Sequence, residues 1–132
     1  MKKYSTAMTA LVVTMMLGGA TAWAGARWGT EVTIDMVNRK AEGTMANVRA
    51  SGDVVQTIGC VIRADLSAPA SVTCYATDGT GLAVQCTTSQ ASFVQAASAM
   101  TSYSNVAFKW DAPGTCTYLS VGNLSTNAPV AP

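Results

Sequence analysis

Apolar residues at every second position mark out three consecutive strands in the middle of the chain. From Ile58 to Ala64 these residues share one face of a predicted strand, because strand side chains alternate between the two faces. The same parity returns at 72–76 and 82–86, and Asp78-Gly79-Thr80-Gly81 between them is typical of a tight hairpin turn. The pattern predicts an antiparallel meander whose apolar face carries three cysteines, Cys60, Cys74 and Cys86.

After the meander the apolar period changes to that of a helix. Near 90–100, four residues fall on one face of a helix of roughly ten residues: Phe93, Val94, Ala97 and Met100. Thr88 or Ser89 is the expected cap at its start. Alternating segments at 105–110 and 115–121 predict a C-terminal hairpin. The predicted fold class is α+β, mainly β, with a small antiparallel sheet (the meander plus the C-terminal hairpin) and one short helix.

The chain divides into four predicted segments. Alternation over 30–34 predicts a first strand, and the charged run 39–43 ends that segment. Residues 44–57 fit no single period and are predicted to be mostly irregular. The predicted segments are a signal peptide (1–24), an N-terminal strand segment (25–43), a disulfide-stapled β-rich domain (44–121) and a flexible tail (122–132).

The start of the chain has the features of a secretory signal peptide. Lys2-Lys3 precedes an apolar stretch over 7–20, and Ala22-Trp23-Ala24 offers the small residues that a signal peptidase requires. Cleavage after that motif would leave a mature chain that begins at Gly25. No later apolar run approaches the roughly 18 residues of a membrane span. The mature protein is therefore expected to be secreted or periplasmic, without a membrane span.

Four cysteines in an exported chain predict two disulfides, since exported proteins fold in oxidising compartments. A zinc site is the rival interpretation, but zinc ligands usually come in pairs about two to four residues apart. The gaps here are 14, 12 and 30 residues, so no metal and no cofactor are expected. Because the meander places Cys74 opposite both Cys60 and Cys86, the pairing stays open. Cys60–Cys74 with Cys86–Cys116 is favoured over Cys74–Cys86 with Cys60–Cys116.

Short motifs around the cysteines carry a resemblance to other proteins. They are Gln56-Thr57-Ile58-Gly59-Cys60, Cys74-Tyr75-Ala76, Cys86-Thr87-Thr88 and Phe108-Lys109-Trp110-Asp111-Ala112-Pro113-Gly114-Thr115-Cys116. Together they resemble a family of small exported bacterial proteins with four cysteines, over residues 30–121. The resemblance implies export and the disulfide framework, and it implies no activity because that family is uncharacterised. The chain's ending, Val130-Ala131-Pro132, departs from the Pro-Lys ending typical of the family.

The composition removes most of the usual catalytic groups. The chain has no histidine, which excludes serine–histidine and cysteine–histidine nucleophiles and the commonest general base near neutral pH. Loss of the leader would remove two of the eight Lys/Arg and none of the seven Asp/Glu, and no basic stripe remains. No nucleic-acid partner is therefore expected. Among the carboxylates, Glu31 and Asp35 share a strand, whereas Asp78 and Asp111 are expected to head turns.

Four aromatic residues are the candidate contact residues: Tyr75, Tyr103, Trp110 and Tyr118. Exposed rings on a small β scaffold can stack on sugars or anchor a protein partner, and a place in the core is the alternative for each ring. The sequence thus favours a non-catalytic binding or structural protein of the envelope, matrix or adhesion type, with a protein or a glycan as partner. The alternatives are a secreted inhibitor of another protein and a small carboxylate-dependent hydrolase.

Overall fold

Strands form most of the regular structure in residues 29–127, the part of the chain that the computed structural model describes. The predicted signal peptide and its cleavage site lie outside these residues. The elements in chain order are β1 (Thr33–Asp35), β2 (Lys40–Thr44), α1 (Met45–Ala50), β3 (Thr57–Arg63), β4 (Ser71–Thr77), β5 (Ala83–Thr88), α2 (Ala91–Ser98), β6 (Asn105–Trp110), β7 (Cys116–Gly122) and a 3₁₀ turn (Ser125–Asn127).

The three middle strands form the predicted meander, here called the meander sheet, in the order β3-β4-β5. Cys60 lies opposite Cys74, and Cys74 lies opposite Cys86, which confirms the predicted register. The face that carries these cysteines is turned to the core, where Val72 is fully buried. Alternation predicts the register here because a shift of one residue would bring the polar face into the core.

Two N-terminal strands extend the C-terminal hairpin to a four-stranded sheet, in the order β1-β2-β6-β7. β2 pairs with β6 along its whole length, from Lys40 opposite Lys109 to Thr44 opposite Asn105. Glycine at 43 allows a close approach, since a Cβ there would stand 3.3 Å from the Cα of Val32. The N-terminal segment and the C-terminal hairpin therefore belong to one sheet, a long-range pairing that the sequence pattern does not predict.

Both sheets contribute to one apolar core, in which Val106 and Phe108 are fully buried. The predicted helix near 90–100 is confirmed as α2, and its Ala97 belongs to this core. The expected cap is wrong, because Gln90 is the residue at the N-terminal cap and no side chain caps the helix. The Thr88 hydroxyl instead accepts a hydrogen bond from the Gln90 N–H at 3.3 Å, inside the turn that leads into α2.

Regular structure also appears where the sequence predicted little. α1 lies within 44–57, and its six residues are too few for an apolar period to be recognised. β2 covers the charged run 39–43 almost completely, because it lies between β1 and β6 and pairs with both strands. Beyond residue 121, Gly122 ends β7, and the buried Asn127 donates a hydrogen bond from its side-chain amide to the Gly122 carbonyl at 2.9 Å.

Two disulfides link the strands in the favoured pairing, which completes the predicted fold class. Cys60–Cys74 joins neighbouring strands within the meander sheet, whereas Cys86–Cys116 joins β5 to β7 and so connects the two sheets. Next to the second disulfide, the Thr87 N–H donates a hydrogen bond to the Gly114 carbonyl at 3.1 Å. The contact between the sheets therefore combines one covalent link with a short stretch of backbone pairing.

Strand geometry explains why Cys74 pairs with Cys60. The Cα atoms of these two residues are 4.0 Å apart, which fits a non-hydrogen-bonded antiparallel pair, where backbones approach most closely. The N–H and C=O of Cys74 then point away from Cys60 and towards Cys86. Cys74–Cys86 is accordingly the hydrogen-bonded pair, whose wider Cα separation of about 5.5 Å suits a disulfide less well.

Candidate binding site

Tyr75 lies in the middle of the meander sheet, on the face opposite to the cysteines. Its cross-strand neighbours are Gly59 on β3 and Gln85 on β5. Gly59 presents no side chain to the ring, and a Cβ there would stand 3.8 Å from the Met45 methyl group, which approaches from α1. Tyr75 is half-buried, and its direct neighbour on β3 offers the ring no side chain to pair with.

A groove of about 380 Å³ lies beside Tyr75, where β3 begins and β4 ends. Its volume is near the lower end of the range of roughly 300–1,000 Å³ for small-molecule sites. Charged residues are absent from the lining, which combines apolar, hydroxyl and amide groups. The lining residues are Thr57, Tyr75, Ala76, Thr77, Ala83, Val84 and Gln85. This groove is here called the Tyr75 groove.

The polar groups of the Tyr75 groove are all uncharged. The Thr57 hydroxyl donates a hydrogen bond to the Thr77 hydroxyl oxygen at 3.2 Å, which fixes both side chains on one wall. Gln85 is exposed and offers a donor and an acceptor beside the Tyr75 ring. Such a lining can hold an apolar or hydroxylated group, and it offers no opposite charge to an ionic ligand.

The other three predicted contact residues lie outside this groove. Trp110 is half-buried and packs against Phe108, with ring centroids 5.9 Å apart, so it belongs with the core. Tyr118 is 47% exposed on the four-stranded sheet, and the Lys109 ammonium lies 5.9 Å from its ring centroid. Tyr103 is 45% exposed in the turn before β6. Of the four predicted residues, Tyr75 is the one that the structure brings to the groove.

Every aspartate of the chain anchors a turn through its carboxylate. Each accepts a hydrogen bond from at least one backbone N–H two to four residues further along the chain. Asp78 and Asp111 head turns as expected, and the remaining three aspartates do the same. The five residues are Asp35, Asp53, Asp65, Asp78 and Asp111.

These hydrogen bonds favour the ionised carboxylate and so lower the pKa of four of the aspartates. The backbone N–H of Gln56 is the main cause that lowers the pKa of Asp53 to about 2. The Ser67 hydroxyl lowers the pKa of Asp65 in the same way. Corresponding hydrogen bonds lower the pKa at two further sites, from the Asn38 backbone N–H at Asp35 and from the Thr80 hydroxyl at Asp78. The aspartates therefore hold their turns in the ionised form.

The two glutamates complete the acidic groups. Glu42 forms an ion pair with Lys40 on the exposed side of the four-stranded sheet, and Glu31 is exposed at the N-terminal side of β1. Within residues 29–127, no three side chains of His, Cys, Asp or Glu lie close enough to hold a metal ion. No helix in this part of the chain is long and apolar enough to cross a membrane.

Comparison with known proteins adds no relative, since no family model, curated protein or solved structure matches the chain. Sequence reasoning found Tyr75 but missed its neighbours in the groove. Gln85 could have been found, because the predicted meander register places it opposite Tyr75. Ala83 could have been found in the same way, because the predicted strand at 82–86 places it opposite Thr77. Thr57 could not, because the predicted strand began at Ile58, one residue later than β3 does.

Proposed function

We propose that this protein acts by binding rather than by catalysis, outside the cytoplasm, and that the Tyr75 groove is its binding site. The observation that carries the proposal is an uncharged groove beside an aromatic ring, on a sheet whose strands are fixed by a disulfide. A site on a rigid sheet loses little conformational entropy when a partner binds. The role that fits is a secreted or periplasmic component of an envelope, matrix or adhesion structure.

Oxidising conditions are the first support for this proposal. The four cysteines are paired in two disulfides, which fit an extracellular or other oxidising compartment. We propose further that the leader 1–24 is removed and that the mature protein is either periplasmic or fully secreted.

The use made of the carboxylates is the second support. Hydrolysis of a glycosidic bond needs two carboxyl groups that face each other, one of them with a raised pKa. Here the five aspartates accept hydrogen bonds from turns, and Glu42 is paired with Lys40. Glu31 alone would be left for the alternative of a small hydrolase, and a single carboxylate does not meet that requirement.

A protein partner with an uncharged segment fits the groove best. Ala83 is exposed and Val84 is half-buried, so these two residues supply the accessible apolar surface, whereas Ala76 is already buried in the core. Apolar surface of this kind contributes to association when it is removed from water. The Thr57 and Gln85 polar groups lie at the same lining and can fix the orientation of a bound segment. A neutral glycan, which could stack on Tyr75 and bond these groups, is the outcome that the experiment must distinguish.

Site-dependent recovery of a partner tests the proposal. Mature oxidised protein is immobilised and exposed to envelope and culture-supernatant fractions of the producing cells. Ala83→Arg should lower recovery of the bound component at least about tenfold, because it places a bulky charged side chain in an uncharged groove. Tyr118→Ala is the matched control on the other sheet and should recover the component as the wild type does.

Two results would contradict the proposal. One is equal recovery by the wild type, Ala83→Arg and Tyr118→Ala, which would mean that the groove takes no part in binding. The other is a hydrolytic activity of the wild type that Glu31→Gln abolishes, which would favour the alternative of a carboxylate-dependent enzyme.

A further inference from the structure

The two disulfides differ in their access to solvent. Cys86 is 1% exposed and Cys116 is 4% exposed, so both ends of that bond lie in the core. Cys74 is fully buried as well, whereas Cys60 is half-buried. The cover of the core ends directly after Cys60, since residues 61–69 are all exposed. Of the four cysteines, Cys60 is therefore the one that offers a surface to a reagent in solution.

The place of Cys60 in the meander sheet determines the direction from which its sulfur can be attacked. A thiolate that breaks a disulfide attacks one sulfur and displaces the other, so it approaches on the side away from the leaving sulfur. Cys60 lies on β3, an outer strand that pairs with β4 alone among the strands of residues 29–127. Because Cys74 lies on β4, the side of Cys60 away from Cys74 leads to the outer edge of the sheet.

The strands around this disulfide are also held together without it. β3 and β4 pair over seven residues, from Thr57 opposite Thr77 to Arg63 opposite Ser71. The two strands can therefore stay paired while the bond between their cysteines is open. A reagent reaches the Cys86–Cys116 bond, in contrast, only when the contact between the two sheets opens, because both of its cysteines are buried there.

We propose that Cys60 is a site of thiol–disulfide exchange, at which a low-molecular-weight thiol opens the Cys60–Cys74 bond in the folded protein. The thiolate attacks Cys60 Sγ and forms a new S–S bond there, while the bond to Cys74 Sγ breaks. Cys74 Sγ leaves with the electron pair and takes up a proton from water. The product carries a mixed disulfide on Cys60 and a thiol at Cys74, with no net oxidation or reduction. This reactivity is separate from binding in the Tyr75 groove and does not rest on it.

Reaction of the oxidised mature protein with glutathione, without denaturant, tests the proposal. Samples are alkylated at timed intervals, and peptide mapping identifies the state of each cysteine. Cys60–Cys74 should open at least about tenfold faster than Cys86–Cys116, because the second bond waits for the core to open. Glutathione should be found on Cys60, and tryptophan fluorescence should stay native while the first bond is open. In urea that unfolds the chain, the two bonds should open at similar rates.

Charged substitutions beside Cys60 test where the thiolate attacks. Ile62 is the next residue on the same face of β3, about 7 Å along the strand, and is 37% exposed. At low ionic strength, Ile62→Lys should speed the opening of Cys60–Cys74 and Ile62→Glu should slow it, each by about two- to fivefold, because the attacking thiolate is an anion.

Leu82→Lys and Leu82→Glu are the matched controls for these variants. Leu82 is 40% exposed and lies directly before β5, four residues from Cys86 and two strands away from Cys60. Four residues correspond to about 13 Å along a strand, which exceeds the screening length of about 10 Å in 0.1 M salt. Both Leu82 variants should therefore react at the wild-type rate in that salt, in which the Ile62 variants are compared again.

Four results would overturn the proposal. The first is that both bonds open at the same rate without denaturant, or that Cys86–Cys116 opens first. The second is that Cys60–Cys74 stays closed until urea unfolds the chain. The third is glutathione on Cys74 instead of Cys60. The fourth is that the Ile62 variants change the rate no more than the Leu82 variants do.

Discussion

Replacing Cys86 and Cys116 together by alanine is expected to lower the free energy of unfolding by about 3–4 kcal/mol, because their disulfide closes a long loop. The two residues are 30 positions apart and almost fully buried. Their link joins β5 to β7, and little backbone pairing supports it there beyond the Thr87–Thr115 bridge. Loss of this disulfide therefore also loosens the contact between the two sheets. Urea unfolding followed by tryptophan fluorescence measures the change.

The other disulfide is the matched comparison. Cys60 and Cys74 are 14 positions apart and lie on strands already paired over seven residues. Their joint replacement by alanine should cost about 3 kcal/mol or less. It should also leave the unfolding transition cooperative, since the contact between the sheets is intact. An equal or larger loss from this second double variant would contradict the assigned role of Cys86–Cys116.

Acid is expected to destabilise the protein between about pH 4 and about pH 2, with stability nearly constant from about pH 5 to pH 8. Four aspartates have a folded-state pKa below the unfolded value of about 3.9. The stabilisation they contribute is present above the unfolded pKa. It is lost as the pH falls through each folded pKa, which is about 2 at Asp53. No histidine titrates in the neutral range. Urea midpoints at a series of pH values test this profile.

Asp53→Asn is the informative variant for the acid effect. The Asp53 carboxylate accepts a hydrogen bond from the Gln56 side-chain amide at 2.6 Å and two more from backbone N–H groups. In Asp53→Asn, the side-chain NH₂ group would face one of these N–H donors. The variant should be less stable than the wild type at neutral pH and lose less stability in acid. Glu31→Gln, which changes an exposed carboxyl group outside the turns, should follow the wild-type profile. A wild-type midpoint that does not fall below pH 4 would contradict the role given to the aspartates.

The meander sheet was predictable because its information is local. The apolar residues of its strands recur at every second position, and the Asp78–Gly81 turn fixes where the chain reverses between β4 and β5. The cysteine partners were predicted only as a preference, since register alone places Cys74 opposite both Cys60 and Cys86. The choice depends on which pair is hydrogen-bonded, and that follows from the backbone of the folded sheet.

The four-stranded sheet was not predictable in the same way. β2 pairs with β6 across more than sixty positions of sequence, and nothing in Lys40–Thr44 signals that partner. Its Ala41 and Gly43 are buried because Phe108 and Val32 lie against them, which a pattern of single residues does not reveal. α1 was not predicted because it is too short to show an apolar period. The cap of α2 was not predicted because glutamine is not among the residues that usually cap helices.

Of the four aromatic residues predicted as contact residues, one lies in the candidate site. Aromatic type drew attention to Tyr75, Tyr103, Trp110 and Tyr118 alike, yet exposure and the groove depend on neighbours from other strands.

Export is the condition on which binding outside the cytoplasm depends, and intact-mass analysis of protein from the periplasm or culture supernatant tests it most directly. The proposed function predicts a chain that begins at Gly25 and is lighter by four hydrogen atoms than its fully reduced form, because both disulfides are closed. A chain that still begins at Met1, or one that carries four free thiols, would contradict it.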